Sequence, residues 1–549
     1  MQIGGSSYEQ VMDTFRWEVP PQFNIADAIC EAHARRTPAA AALIYEEADG
    51  SVRSWSFAEI SAAANRCANL LAHLGVGRGV VVGIHLAQCP ENLIAHVAIQ
   101  KLGGIALPLF NLFGPDAIGY RLADSGAHVL ITTPAALERT EQAVQAVGTL
   151  RHIVTVGARS ARDPHEFWSL LEAAASAAPT AATGADDPAL LIYTSGTTGN
   201  PKGALHAQRV LLGHLPGVVL PHDFFPQPGD RFWTPADWAW VGGLLDVLFA
   251  SLYYGVPVVG CARAKFDPEW AFAFMARHGV RNTFMPPTAL RLMRQVPEPR
   301  SRHAYALRSV GTGGEKLGED MIGWGREAFG LELSEFFGQT EVNLVVGNAP
   351  GLFPVRAGSM GRALPGHVVE IVDQQGNVQP AGSPGIVAVR RPDPVMFLEY
   401  WRQPEATLEK FRADWCLLGD VAVKDAEGYF WFRGRDDDII SSAGYRIGPG
   451  EVEECLSKHP AVALAGVIGS PDPIRGEVVA AFIVPRPEYA PSPELAAQIQ
   501  AFVKERLAAH EYPRKVRFLH SMPMTVTGKI RRKDLRALDQ RPSAWSGGN

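Results

Sequence analysis

The sequence predicts a layered α/β protein with a small α+β unit at its C-terminal end. Three observations predict it. Helix-like and strand-like segments alternate from about residue 25 to 350, short β-like pieces with turn signals follow from about 355, and a compact mixed segment closes the chain. Strand–helix alternation builds mostly parallel sheets covered by helices. The chain has 549 residues, too many for one core.

Taken in order, "FAEISAAANRCANLLAHLG" (57–75) has helical periodicity and stops at Gly75, and "VVVGIHL" (80–86) reads as a strand. "ENLIAHVAIQKLGGIALPL" (91–109) reads as helix, turn and strand, and "HVLITT" and "HIVTVG" are further short strands. "LEAAASAAPTAATGADDPA" (171–189) is Ala/Thr-rich, a helix end and an exposed connection. The pieces "GHVVEIVDQQGNV", "GSPGIVAVRR" and "DVAVKDAEGYFWFRGR" predict a β-rich subdomain, and a charged, turn-rich joint follows it. "VALAGVIG", "EVVAAFIV", the helix "SPELAAQIQAFVKERLAAH" and "KVRFL" compose the last unit. The boundary is placed at Asp437, giving 1–436 and 437–549.

Composition narrows the function. Apolar content of 47% and charged content of 20% are ordinary for a globular protein. A net charge of −6 without a long basic block argues against nucleic-acid binding. Six scattered cysteines without a C-x-x-C pair read as reduced thiols rather than a disulfide framework or zinc site. No basic, apolar leader is visible at the N-terminus, and no run reaches the about 20 apolar residues of a membrane span. A cytoplasmic enzyme is the expectation, and oligomeric state is left open.

The chemistry begins at "LLIYTSGTTGNPKGALH" (190–206). An apolar strand runs into Thr194, Ser195, Gly196, Thr197, Thr198 and Gly199, with Lys202 close behind. Hydroxyls, glycine backbone N–H groups and a lysine suit a polyphosphate. A plain surface turn is the competing reading, weakened by the preceding strand, the lysine and the absence of acidic residues. Asn200 and Pro201 separate Gly199 from Lys202, so this is not a Walker loop. Four further stretches accompany it: "GTGGEKLG" (311–318), "EFFGQTE" (335–341), the segment containing Asp420 and Arg435, and "TVTGKIRR" (525–532) around Lys529.

In this order the motifs resemble the acyl-CoA synthetases of the adenylate-forming superfamily, across roughly residues 25 to 540. "DDIISSAGYRIGPGEVEECL", "SPDPIRGEVV", "YPRK" and "TVTGKI" resemble the medium-chain, butyrate-type subgroup most. The resemblance implies ATP, Mg²⁺ and coenzyme A as reactants and cofactor. A carboxylate attacks the α-phosphate of ATP, and CoA then displaces AMP from the acyl-AMP.

The resemblance also assigns roles. Thr194 to Gly199 and Lys202 cradle the β- and γ-phosphates. Glu341 holds Mg²⁺ and Thr340 lies near the α-phosphate. Phe337 faces adenine, Gly313, Gly314 and Glu315 line its edge, and Glu335, Phe336, Gly338 and Gln339 complete the nucleotide wall. Asp420 accepts from the ribose hydroxyls, with Arg435 beside it. Lys529 corresponds to the family's C-terminal catalytic lysine; without the family likeness it reads as an exposed lysine in a basic loop. Asp437 corresponds to the hinge on which the C-terminal domain rotates between half-reactions. Ala443, Gly444 and Tyr445 match the loop lining a pantetheine tunnel, and Arg446, Arg475, Arg506, Tyr512 and Arg514 are candidates for the CoA nucleotide.

For the acid, a tryptophan closes the pocket of acetyl-specific relatives at the position of Gly338, so Gly338 implies room for a longer or bulkier acid. "TPADWAWVGGLLDVLF" (234–249) lines that pocket, with Trp240 or Trp238 as its aromatic gate; both also read as ordinary core. This stretch departs from the subgroup's usual pattern, and Met524 replaces a usual lysine. The leading expectation is an ATP-dependent acid–CoA ligase for a medium-chain or branched fatty acid. An aryl-CoA ligase, an enzyme loading a carrier protein, and a non-catalytic nucleotide or acyl-CoA sensor stand as alternatives. The intact Lys202, Glu341, Asp420 and Lys529 argue against the sensor.

Overall fold

The computed structural model describes residues 3–157, 165–194, 200–261, 263, 265–314, 317, 319–435, 440–524 and 530–540. Within these residues, four sheets organise the chain.

The first sheet, in spatial order, runs Glu399–Tyr400, Lys202–Ala207, Pro188–Thr194, Ile105–Pro108, Val81–His85, Val129–Thr132 and His152–Thr155. From Pro188–Thr194 onward its pairs are parallel, as the alternating pattern requires. Val81–His85, Ile105–Pro108 and Val129–Thr132 are buried at every position, which is why they read as unbroken apolar runs. Helix Phe57–His73 starts on a capping box, in which Ser56 and Glu59 bond each other's backbone N–H.

The second sheet runs from Arg362–Ala363 through Val346–Gly347, Leu333–Phe337, Ser309–Gly313, Asn282–Phe284, Phe232–Trp233, Val258–Cys261 and Ala41–Glu46 to Val52–Ser56. Its centre is parallel and both edges are antiparallel. The fully buried helix Val210–Val219 packs against the π-helical turn Leu244–Phe249 in the main apolar core. The expected β-rich subdomain is an antiparallel sheet of Val369–Val372, Pro384–Arg390, Trp415–Lys424, Phe411–Arg412 and Phe430–Arg435.

The C-terminal unit is built on the long hairpin Val462–Asp472 and Gly476–Pro485, flanked by Ile440–Ser442, Tyr445–Ile447 and Lys515–Phe518. Alternation along the hairpin gives it two apolar faces. Ala465, Val467, Val479, Ala481 and Ile483 share one core with Leu107, Leu109 and Phe113 of the first sheet's neighbourhood. Ile468, Ala480 and Phe482 face the other way, onto Met522, Ile530 and Leu535. The unit therefore packs on the rest of the chain through one sheet face, while the residues on either side of 525–529 sit on the opposite face.

Candidate active site

Strand Pro188–Thr194 does end in the polar loop, and Lys202 opens the antiparallel return strand, opposite Thr194. The strands on either side of it pair antiparallel, so the chain returns to a strand rather than entering a helix as after a Walker motif. Ser195, Gly196, Thr197, Thr198 and Gly199 lie outside the described residues, as do Glu315, Asp437 and Lys529.

The segment "GQTEVNLV" (338–345) forms a second hairpin loop. Strands Leu333–Phe337 and Val346–Gly347 flank it, and Val345 N–H donates to Phe337 O. Alternate residues of this loop are held by different parts of the chain. Gln339 Nε2 donates to Leu418 O and to Asp420 Oδ2, each at 2.6 Å. The buried Glu341 carboxylate accepts from the Tyr400 hydroxyl, and Glu341 O accepts from Phe397 N–H. Asn343 Nδ2 donates to Asp246 Oδ1 at 2.9 Å and approaches His214 Nε2 at 3.2 Å. Leu344 follows with φ at +52°, a left-handed conformation that is costly for a leucine and accommodated here by Gly217, where a Cβ would lie 2.3 Å from Leu344 Cβ.

Tyr400 ties the two hairpins together. Its strand pairs with Lys202–Ala207, and Lys202 Nζ stands 5.2 Å from its ring centroid while its hydroxyl holds Glu341. Lys202, Thr194, Glu341 and Thr340 thus belong to one neighbourhood, with Asp420 joined to it through Gln339. Burial pushes the His206 imidazole down to about 4, against the pull of Glu341. Asp420 pairs with Arg435 across Trp415–Lys424 and Phe430–Arg435; the Arg435 side chain lies outside what the structure describes.

The glycine-rich strand Ser309–Gly313 runs beside Leu333–Phe337. A Cβ at Gly313 would meet Phe336 O at 2.8 Å, so only glycine permits this approach. Phe336 is core, stacked on Phe284 at 5.4 Å, whereas Phe337 is half-buried. Glu335 is buried and accepts from Leu317 N–H, a structural bond. Gly314 adopts φ of +92°, and a Cβ on it would touch Trp240 at 3.3 Å and Gly444 O at 3.7 Å. This contact separates the two tryptophans. Trp238 is fully buried against Gly260, whereas Trp240 is half-buried where the glycine strand meets the loop Ala443–Tyr445.

That loop turns through positive φ at Ala443 (+55°) and Gly444 (+81°). Ala443 N–H donates to Arg475 O, and the Tyr445 ring stacks on His510 at 3.7 Å, with Phe110 touching both. Burial raises Tyr445 to about 12 and lowers His510 to about 3, while burial lifts Asp237 to about 6. Arg506 stacks on Phe502 at 3.7 Å, and its carbonyl lies 2.3 Å from where a Gly114 Cβ would sit. Arg514 leans over Tyr512 at 4.9 Å, Arg475 N–H donates to Asp472, and Arg446 contributes backbone to strand Tyr445–Ile447.

A Cβ added at Gly338 would lie 2.3 Å from Leu344 N and 2.6 Å from Asn343 Cα. Glycine is needed there because the legs of the hairpin close on each other, and the wall at this point is Asn343. Sequence reasoning missed Tyr400, which belongs to no motif, and the trio His214, Asp246 and Asn343. A weak signal existed for Asp246, an acidic residue inside the apolar run 241–260.

The donors present suit a magnesium nucleotide: a buried carboxylate oriented by Tyr400, a lysine beside it, and a carboxylate fixed by Gln339. Among the described residues there is no cluster of three His, Cys, Asp or Glu side chains for a transition metal, all six cysteines are free, and no helix is long and apolar enough to cross a membrane.

Known proteins place these features in a family. The AMP-binding enzyme family matches residues 30–401, and the AMP-binding enzyme C-terminal domain matches 451–529. The chain is 36% identical over 505 residues to the acetyl-coenzyme A synthetase of Bacillus subtilis, covering 90% of this chain and 87% of that one. It is 35% identical over 535 residues to human mitochondrial acyl-coenzyme A synthetase ACSM4, covering 94% and 91%. The crystal structure of Brucella canis acyl-CoA synthetase superposes with a TM-score of 0.72 at 30% identity, over 97% of this chain and 99% of that chain. With both modules matched and the described motif residues gathered around Tyr400 and Gly314, the chain belongs to the AMP-binding enzyme family, among its acyl-CoA synthetases.

Proposed function

We propose that this enzyme is an ATP-dependent acid–CoA ligase that activates a carboxylic acid as acyl-AMP and transfers the acyl group to coenzyme A. The observation that carries this reading is the grouping of Lys202 and Glu341 on Tyr400. ATP supplies the adenylyl group, Mg²⁺ neutralises phosphate charge, and coenzyme A supplies the thiol. Thr194 to Gly199 and Lys202 bind the β- and γ-phosphates, and Glu341 is the metal carboxylate beside Thr340. Asp420, fixed by Gln339, accepts from the ribose, and Gly313 to Glu315 border the base. Such chemistry needs positioning and charge stabilisation more than covalent help, which matches a site whose polar side chains are anchored in advance.

Lys529 stabilises the charge that develops as the carboxylate attacks. Met522 and Ile530, which bracket it in sequence, lie on the outward face of the C-terminal sheet, whereas Ala443 to Tyr445 lie at Gly314. One arrangement therefore serves thioester formation, and a rotation about Asp437 brings Lys529 in for adenylation. Cytosolic catalysis by this two-module chain is part of the proposal.

Lys529→Ala tests the division of labour. Acid-dependent exchange of pyrophosphate into ATP should fall at least about a hundredfold, while thioester formation from supplied acyl-AMP persists. Equal loss of both half-reactions would remove the role given to Lys529.

A further inference from the structure

In the 338–345 loop the Asn343 carboxamide, like that of Gln339, is clamped by two buried groups, here the side chains of His214 and Asp246. His214 Nδ1 lies 2.8 Å from Val210 O, a carbonyl that can only accept, so Nδ1 carries the proton and Nε2 presents a lone pair. Asn343 Nδ2, 3.2 Å from that Nε2 and 2.9 Å from Asp246 Oδ1, must be the donor end of the amide. Both donors are thereby turned into the interior, where His214 and Asp246 are buried. The other end, Oδ1, has no hydrogen-bond partner among the described residues and is not among the buried unpartnered atoms, so it opens to solvent. It sits 2.7 Å from the Cβ position of Gly338. Asp246 belongs to the helical run that begins beside Trp240, so this run supports both Asn343 and the tryptophan at Gly314.

A buried acid and imidazole are an expensive foundation for an otherwise apolar wall. Burial drives Asp246 well above the ordinary carboxylate range and His214 down to about 3, so both favour their neutral forms. What the arrangement secures is one fixed, outward carbonyl acceptor at the Gly338 turn.

We propose that Asn343 is a specificity-determining residue: its Oδ1 accepts a hydrogen bond from a hydroxyl or amino substituent on the acid, so the preferred substrates are acids bearing such a donor rather than plain alkyl or aryl acids. This rests on the acid–CoA ligase reading. A site built to pair a donor penalises the analogue lacking it, because its acceptor is then desolvated without a partner.

The test is CoA-dependent AMP release by the full-length enzyme on matched acids: hexanoate with its hydroxylated analogues, and benzoate with the three aminobenzoates. Within at least one pair, kcat/KM for the donor-bearing acid should exceed that for its parent by about tenfold or more. Asn343→Leu should collapse that ratio toward one, and Asp246→Asn, which keeps an acceptor for Nδ2, should retain it. Parent acids preferred throughout by the unaltered enzyme would overturn the assignment, with no variant needed. A ratio unmoved by Asn343→Leu would do the same, marking Asn343 as structural. Turnover on no acid at all would overturn the ligase reading itself, a result distinguishable from turnover without selectivity.

Discussion

Tyr400 makes two contacts that no motif announces, and both concern groups assigned to the phosphates and metal. Its hydroxyl orients the Glu341 carboxylate and its ring carries Lys202. Tyr400→Phe keeps the ring but removes the hydroxyl that bonds the Glu341 carboxylate. Loss of a hydrogen bond to a charged group is worth roughly 1.5–3 kcal/mol, so kcat/KM for MgATP should fall about tenfold or more, with a higher Mg²⁺ requirement and an almost unchanged melting temperature. An unchanged Mg²⁺ titration would show that Tyr400 does not act through Glu341. The hydroxyl–glycine–lysine loop stands out because its residue types suit a polyphosphate, whereas Glu341, Asp420 and Lys529 are picked out through the family likeness, and Lys529 lies outside the described residues. Tyr400 could not be picked out, since a lone tyrosine between Glu399 and Trp401 gives no hint that its strand pairs with Lys202–Ala207. The hairpin's demand for glycine at 338 was not legible either, since it comes from Asn343 and Leu344 folding back on the turn.

Among elements, the 338–345 hairpin concentrates the constraint. Gln339, Glu341 and Asn343 are each tied to a different segment, and Leu344 is held in a left-handed conformation above Gly217. Gly217→Ala puts a methyl group 2.3 Å from Leu344 Cβ. Overpacking of this kind costs about 1–3 kcal/mol, and the displaced turn should lower adenylation alongside the melting temperature; a fully active, equally stable G217A protein would show the turn to be loosely held. The sequence revealed helices and strands well where period and caps agreed, as in Phe57–His73 and Pro493–Arg506. It did not reveal which strands are neighbours. The second sheet interleaves segments between residues 41 and 363, and such an order depends on long-range packing rather than on local pattern.

Across the whole molecule, buried histidines set the response to acid. Burial lowers His85, His96, His206, His214, His222 and His510 to between about 3 and about 4. Their folded values lie below the unfolded value, so the unfolded chain binds more protons and stability is lost as pH falls from about 6.5 toward 4. Asp237, raised to about 6, acts in the opposite sense: its contribution favours the fold at low pH and is lost as pH rises through about 6. Asp246, also raised by burial, acts in the same sense as Asp237, but the histidines outnumber these two, so the melting temperature should be lower at pH 5 than at pH 7; an equal or higher value at pH 5 would contradict this account. His510→Phe preserves a ring against Tyr445 and Phe110 and should shrink that difference.

The two modules meet through one face of the C-terminal sheet, with Ala443 to Tyr445 at Gly314 and Trp240. The proposed function requires both half-reactions of one enzyme from this two-module arrangement. The most direct measurement of that claim is AMP and acyl-CoA formation from ATP across a panel running from acetate through butyrate and octanoate to benzoate and their hydroxy and amino analogues, with and without CoA. The account predicts AMP and thioester in equal amounts, dependent on both acid and CoA, for one class of acid. Acid-dependent pyrophosphate exchange without CoA-dependent AMP release would contradict it and identify another acyl acceptor.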